Sequence, residues 1–480
     1  MRMVYEIVKG VTGLFLGALC LDFLIVLVRQ YYSPRRMIRS LAAHFRIDFL
    51  VLSIVDLFSL YFAGTIPFLI YHLAGILYLL IRFRTKKFRF SRRSALNFFF
   101  LCLLLLPLCF FYPFLYAFKL ILIFLAVFIS FLLLLPFENA IKSQYIRKAR
   151  KKLNRYPDLT IIGITGSFGK TSFRYYLQTA LSIKYRVQTP KKNTNTLMGI
   201  TRFINDELTE NDILILELGI DSKGQMEKFA RLLSLDYAVI TSIGNMHLAT
   251  FKTIENIVGE KMKIQNLLKK DGKLFLNGDN AYLNEIEGEN IVRFSRKNLN
   301  FLRFDIEGMT FKEEDKEVTF PVHSAFFAGY LDGILAIGER FAIRREDIFL
   351  AAGLFTDFER RNQVFLLTHG YLIDNSYNAN LRGIEESLNL LDSLKGISYV
   401  VTGGIIEQGS HFVSENTRLK ELLSGHNVVF IGSKKHPLIR NHAFSRLLIT
   451  KSQKEAYMCI RDINPDNILL LSKGDDIYLR

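Results

Sequence analysis

The residues best suited to chemistry in this chain are Thr165, Gly166, Ser167, Phe168, Gly169, Lys170, Thr171 and Ser172. They follow the β-rich run Leu159-Thr-Ile-Ile-Gly-Ile164 and open a helical pattern that continues to Leu181. Strand, glycine-rich turn and helix in that order make an anion site. Free backbone N–H groups and the positive end of the helix dipole face phosphate oxygens, and the glycines let the backbone come close. Lys170 can neutralise β/γ-phosphate charge, and Thr171 can ligate Mg²⁺. The common Walker spacing would put glycine at 164, where this chain has Ile164, so the loop is a variant. The expected ligand is ATP.

Further along, Asp212-Ile-Leu-Ile-Leu-Glu217 has the composition of a buried parallel strand ending in a carboxylate. A second strand pattern, Tyr237 to Gly244, ends in Asn245-Met-His247, and Lys261 follows fourteen residues after His247 on a helical stretch. Strand ends are where an α/β sheet binds ligands. A carboxylate, an imidazole and a lysine therefore follow separate elements at the edge where the phosphate loop is expected.

At this point the residues resemble the Mur ligases, the ATP-dependent amide ligases of peptidoglycan precursors, and in particular their D-alanyl-D-alanine-adding branch. The strings that carry the likeness are Gly163-Ile-Thr-Gly-Ser-Phe-Gly-Lys-Thr-Ser172, Asn193-Thr-Asn-Thr-Leu-Met-Gly-Ile200, Glu217-Leu-Gly219, His247-Leu-Ala-Thr-Phe251 and Lys261-Met-Lys-Ile264. Asn277-Gly-Asp-Asn280, Asp374-Asn-Ser-Tyr-Asn-Ala-Asn380 and Glu407-Gln-Gly409 complete them, in family order over residues 155–480.

The resemblance implies a division of labour. Lys170 and the loop amides would hold the ATP phosphates, with Thr171 and Glu217 on one Mg²⁺. Glu217 and His247 would hold a second Mg²⁺ together with Lys261, carbamylated by CO₂ so that an anionic oxygen replaces an ammonium that would repel the metal. Lys170, Lys261, His247 and Glu217 would form the catalytic set. Asn280 would lie near the adenine and Arg361 would reach the phosphates, with Asp374 beside the nucleotide. Asn193, Asn195, Thr196, Tyr377, Asn378 and Asn380 would meet substrate, an amino-acid or dipeptide amine and a carboxylate-bearing, muropeptide-like acceptor. The implied reaction forms an acyl phosphate from that carboxylate and ATP, which the amine then attacks.

The chain also departs from the family pattern. Asn375 and Gly404 stand where aspartates are usual, and the His-Asn pair before the last helix of the central domain is His323-Ser324. The family's soluble UDP-gripping N-terminal domain has no counterpart string here.

The elements that must position these residues form two α/β units. The order β, loop, α repeats through Ile161 to Gly278 and predicts a parallel sheet covered by helices. A second α/β, Rossmann-like unit begins near Thr356, with strand patterns at Tyr371–Asp374, Ser398–Thr402, Val428–Ile431 and Ile468–Leu471. Between them, Lys297 to Thr319 alternates apolar and charged residues as a β-ribbon edge would. The expected domains are 159–355 and 356–480, after a basic cytoplasmic linker at 141–158.

Residues 1–140 differ in kind. The mean hydropathy of +0.21 and the 42 Phe without a single Trp average over an apolar N-terminal part and an ordinary remainder. Apolar runs at 10–28, 47–81 and 95–137, with basic clusters between them, predict three to five transmembrane helices and a multi-pass chain in the cell membrane with its catalytic part in the cytoplasm. The net charge of +17 then orients the chain in a lipid bilayer and does not imply nucleic acid. Four cysteines, three of them in apolar runs, give neither a disulfide framework nor metal-ligand spacing.

A ligase acting on a lipid-linked muropeptide or a polyglutamate-type polymer stays open beside the first reading. From other classes, so do a membrane ATPase driving transport and a nucleotide-binding scaffold. Phosphate release that requires both an amine and a carboxylate separates the ligases from these.

Overall fold

The computed structural model describes residues 119–191, 194–244, 246, 248–324, 326–357, 360–376, 381–405 and 412–471. The chain divides into two compact units, Met1–Gln144 and Tyr145–Arg480. Of the first, the description covers the opening of helix α1 (Lys119–Leu153).

The multi-pass membrane placement, with the bilayer as a partner, is corrected here. Among the described residues no helix is long and apolar enough to cross a membrane. The apolar runs at 10–28, 47–81 and 95–118 lie outside the described residues. The basic stretch read as a linker is the second half of α1, whose Ala149 and Leu153 are buried in a core with Ile146 packed against it, while Arg147, Lys148, Arg150 and Lys151 face solvent.

In the second unit, β1 (Thr160–Thr165) leads into α2 (Lys170–Leu181), β2 (Val187–Gln188), α3 (Leu197–Asp206), β3 (Ile213–Glu217) and β4 (Leu235–Ile240). Then come α4 (Ile254–Met262), β5 (Leu268–Asn277), β6 (Ile291–Phe294) and, later in the chain, α5 (Phe327–Arg340). The six strands form one parallel sheet in the order β2-β3-β1-β4-β5-β6. Chain order reverses at β1, where Ile164 lies opposite Glu217 on one side and Thr165 opposite Ile240 on the other. An open α/β sheet leaves its ligand crevice at such a switch point, so topology alone puts the site at the end of β1.

The strands alternate with period two between two apolar layers, as a sheet covered on both faces must. Ile162, Ile164, Ile215, Val239 and Phe275 face Phe173 and Leu177 of α2 and Phe327 and Leu331 of α5. Ile161, Leu214, Leu216, Ala238 and Leu276 face Ile200 and Ile204 of α3 and Ile257 of α4. Phenylalanines supply much of the first layer, with Phe320–Phe327 ring centroids 5.2 Å apart and Tyr176–Phe327 4.9 Å apart.

The alternating stretch after Lys297 is not an edge of that sheet. It folds as a separate antiparallel sheet, β7 (Asn300–Asp305), β8 (Gly308–Glu313) and β9 (Lys316–Phe320), which sends Met309, Phe311 and Phe320 into the first layer.

The C-terminal α/β part has β10 (Gln363–Leu366), β11 (Tyr371–Asp374), α6 (Leu381–Asp392), β12 (Ser398–Thr402) and α7 (Phe412–Leu422). It ends with β13 (Asn427–Ile431), β14 (Arg446–Thr450), α8 (Gln453–Ile463) and β15 (Asn467–Leu470). Its sheet runs β10-β11-β15-β12-β13-β14, parallel except for β10 at the edge.

Candidate functional site

After Thr165 the chain must turn back onto α2 in four residues, and two glycines make that possible. Gly166 has φ 154° and Gly169 φ 79°. A Cβ on Gly166 would meet Thr241 Oγ1 at 2.1 Å, and one on Gly169 would meet the Tyr330 hydroxyl at 1.7 Å. Only glycine combines that backbone with that lack of room.

The turn is then fastened to the segment after β4. The Ser167 N–H donates to the Ser242 carbonyl at 2.7 Å, the Phe168 N–H to Ser242 Oγ at 3.0 Å, and Thr241 Oγ1 to the Phe168 carbonyl at 2.6 Å. Thr165 turns its hydroxyl inward, donating to Leu218 O at 2.9 Å. Gly169 caps α2 without a side chain, which leaves the first-turn amides to face an anion.

Two lysines close on this loop. Lys170 Nζ donates to the carbonyls of Gly166 at 2.7 Å and Ser167 at 3.4 Å, and Lys261 Nζ, reaching from α4, donates to the same Gly166 carbonyl at 3.1 Å. Burial lowers Lys170 to about 8 against the pull of Glu217, with Arg361 adding to the fall. Burial and the neighbouring Lys170 lower Lys261 to about 7. Desolvation and like charge both act against the ammonium form, and an anion against the pair would reverse both effects.

Glu217, at the end of β3, accepts from Thr171 Oγ1 at 3.0 Å through Oε2 and from Arg174 Nε at 2.6 Å through Oε1. Arg174 also donates from Nη1 to Thr189 Oγ1 at 2.7 Å and to the Pro190 carbonyl at 3.3 Å. The sequence reading missed Arg174. Its position four residues after Lys170 resembles any polar helix residue, and only an apolar neighbourhood on that helix face hinted at burial. Among the described residues there is no group of three or more His, Cys, Asp or Glu able to hold a metal. Thr171 and Glu217 offer adjacent hard oxygens on the cleft wall, a donor set that fits one Mg²⁺.

Two clefts meet at the loop. The first is lined by Ser167 to Ser172, Asn195 and Glu217 on one side, and by Ser324, Phe326, Tyr330, Arg361, Asn362, Asn375 and Glu386 on the other. The second is lined by Gly166, Asn195, Thr196, Gly219, Asp221, Gln225, Lys228 and Lys261. Ser167, Lys170, Asn195 and Met246 border both. Lys170 thus stands at their junction.

The remaining expected residues fall as follows. Arg361 reaches the loop helix, Nη1 donating to Ser172 Oγ at 3.2 Å, and it sits between Arg360 at φ 60° and Asn362 at φ 57°. Asn280 donates to the Ile243 carbonyl at 3.0 Å, behind the end of β4. Asp374 is fully buried at the end of β11, accepting from the Ser376 N–H at 3.0 Å, and its neighbour Asn375 lines the cleft. Thr196 caps α3, accepting from the Gly199 N–H at 3.2 Å. Asn193, His247, Tyr377, Asn378, Asn380 and Glu407 to Gly409 lie outside the described residues. His323, beside the cleft residue Ser324, turns away. Its Nδ1 pairs with Asp357 Oδ2 at 2.6 Å and its Nε2 with the Ile306 carbonyl at 2.8 Å.

The chain is similar to known proteins in sequence and in fold. Residues 164–329 match the Mur ligase middle domain. The UDP-N-acetylmuramoyl-tripeptide--D-alanyl-D-alanine ligase of Bacillus subtilis is 29% identical over 259 residues, covering 52% of this chain and 57% of the relative. The chain therefore spans under two thirds of that relative's length. Among solved structures, MurF from Acinetobacter baumannii superposes with a TM-score of 0.61 at 20% identity, covering 69% of this chain and 77% of that one. MurF ligase from Thermotoga maritima, in complex with ADP, gives 0.60 at 22% identity, covering 69% and 80%. These likenesses extend the shared α/β fold through the central and C-terminal domains. The chain therefore carries, over residues 164–329, a match to the Mur ligase middle domain, and it is similar in sequence over about half its length to a D-alanyl-D-alanine-adding ligase.

Proposed function

We propose that this chain is an ATP-dependent amide ligase that activates a substrate carboxylate as an acyl phosphate and joins it to an amine, releasing ADP and phosphate. The observation that carries this reading is the meeting of two clefts at Lys170. One cleft has the phosphate loop, Thr171, Glu217 and Arg361; the other has Asn195, Thr196, Lys228 and Lys261. Nucleotide in the first and acceptor in the second would put the γ-phosphoryl group and the carboxylate on either side of one lysine. The B. subtilis likeness supports UDP-N-acetylmuramoyl-tripeptide as the acceptor and D-alanyl-D-alanine as the amine.

The demands on the protein are electrostatic and positional. Loop amides and Lys170 hold the charge that spreads over the transferring phosphoryl oxygens. A Mg²⁺ ion held by Thr171 and Glu217 would neutralise phosphate charge when bound. Arg361, already on Ser172, would add a cation from the C-terminal side, and the cleft walls would keep water from the acyl phosphate. Lys261 is a candidate for carbamylation, because an amine with a pKa near 7 is partly neutral at physiological pH and only the neutral amine attacks CO₂. The carbamate oxygens and His247 would then complete a second Mg²⁺ site with Glu217.

The test is phosphate release from ATP with UDP-N-acetylmuramoyl-tripeptide and D-alanyl-D-alanine, added singly and together. Release is expected only with both, and Lys170→Ala should abolish it. Hydrolysis indifferent to both additions would overturn the ligase reading.

A further inference from the structure

We infer that Arg174 is a positioning residue for the metal site, orienting Glu217 so that only Oε2 faces Thr171 and the nucleotide cleft. The inference rests on the ligase reading for its purpose, but its test does not require turnover.

Both partners of the pair are largely buried, with about a tenth of each side chain exposed, and Arg174 Nε lies 2.6 Å from Glu217 Oε1. A carboxylate at the end of a strand can rotate about its last two bonds, and hydrogen bonds to a metal-ligating carboxylate are what hold it. Here one oxygen is occupied by the guanidinium and the other is left to Thr171 Oγ1 at 3.0 Å. Arg174 is in turn fixed by its second branch, Nη1 to Thr189 Oγ1 and the Pro190 carbonyl. Those residues start the segment that leads to Asn195, which lines both clefts. The planar fork of arginine makes these three bonds from two nitrogens in one plane; a lysine ammonium on a flexible stem cannot reproduce that.

A buried ion pair by itself argues little for stability, since well-packed apolar residues do as well. What the pair supplies is direction. Mg²⁺ demands near-ideal octahedral geometry and tolerates a misaligned carboxylate poorly.

The experiment compares the wild-type chain with Arg174→Lys and Thr189→Val by calorimetric titration of ATP, first without divalent metal and then with saturating Mg²⁺. Metal-free ATP affinity should be unchanged in both variants, because the loop and Lys170 are untouched. The tightening brought by Mg²⁺ should fall about 10-fold or more in Arg174→Lys, and by a smaller factor in Thr189→Val, which loosens the guanidinium and leaves Glu217 paired. Mg²⁺-dependent tightening equal to wild type in Arg174→Lys would overturn the inference. So would loss of metal-free and metal-bound affinity in the same proportion, the mark of a merely structural role. Should the ligase assay fail while this titration behaves as stated, the fault lies with the assigned reaction.

Discussion

Lys170 and Lys261 donate to the same acceptor, the carbonyl of Gly166, at 2.7 and 3.1 Å. Two cations from different helices share one oxygen at the start of the phosphate loop, and each is held below its ordinary pKa by burial. Their titration is therefore a direct report on what binds beside them.

For Lys170 the value of about 8 predicts proton uptake on ATP binding. A polyphosphate against the amine restores its charge and raises its pKa, so protons should be taken up on binding at pH 8. Titration calorimetry in buffers of different ionisation enthalpy measures this directly. Uptake should fall in Lys170→Arg, whose guanidinium stays charged throughout, the remainder belonging to Lys261. Uptake equal to wild type in that variant would place the proton elsewhere.

For Lys261 the value of about 7 means an amine mostly protonated at pH 6 and mostly neutral at pH 8. Carbamylation should therefore rise with pH through about 7 and follow the bicarbonate supplied. Carbon-13 NMR with labelled bicarbonate should show a carbamate signal in the wild type at pH 8, absent in Lys261→Arg. If Lys261→Arg retains full ligase activity, the carbamate has no part in the reaction.

The loop, β1, α2 and the place of Glu217 were legible in the sequence because each rests on local rules: strand period, glycine where backbone must pass close, a carboxylate at a strand end. The four C-terminal strand patterns were legible for the same reason. Arg174 was not, since its pairing with Glu217 joins residues 43 apart in sequence and nothing local distinguishes a helix arginine that faces inward. The sheet of β7, β8 and β9 was seen as alternation, but whether such a ribbon extends a sheet or stands alone is decided by packing against Phe327 and Phe355. The basic stretch before β1 was read as a linker because charge density hides the spacing of Ile146, Ala149 and Leu153, which docks the end of α1.

Gly169 permits a test of the turn itself. At φ 79°, with the Tyr330 hydroxyl in the place a Cβ would take, Gly169→Ala should cost ~1–3 kcal/mol in strain and lower kcat/KM for ATP roughly 10- to 100-fold. Adding Tyr330→Phe removes the nearest atom but leaves ring carbon Cζ at 2.7 Å and the backbone strain untouched. Partial recovery is the expected outcome, and full recovery would show that φ at 169 is relaxed.

His323 gives a stability prediction with a definite sign. Its two ring nitrogens face acceptors, Asp357 Oδ2 and the Ile306 carbonyl, an arrangement that only the doubly protonated ring satisfies with both as donors. Burial alone would lower its pKa, but the hydrogen bond and charge of Asp357 and the Ile306 carbonyl outweigh it and raise it. A raised folded-state value means the contribution is fully present below the unfolded value of about 6.5 and is lost as pH rises through the folded value. Thermal unfolding followed from pH 5.5 to 8.5 should show stability falling as pH rises, and His323→Gln should flatten that slope. Because Asp357 precedes Arg361 by four residues, the same variant should weaken ATP binding more at pH 6, where the wild-type ring is charged, than at pH 8. An equal effect at both pH values would separate the His323–Asp357 pair from Arg361.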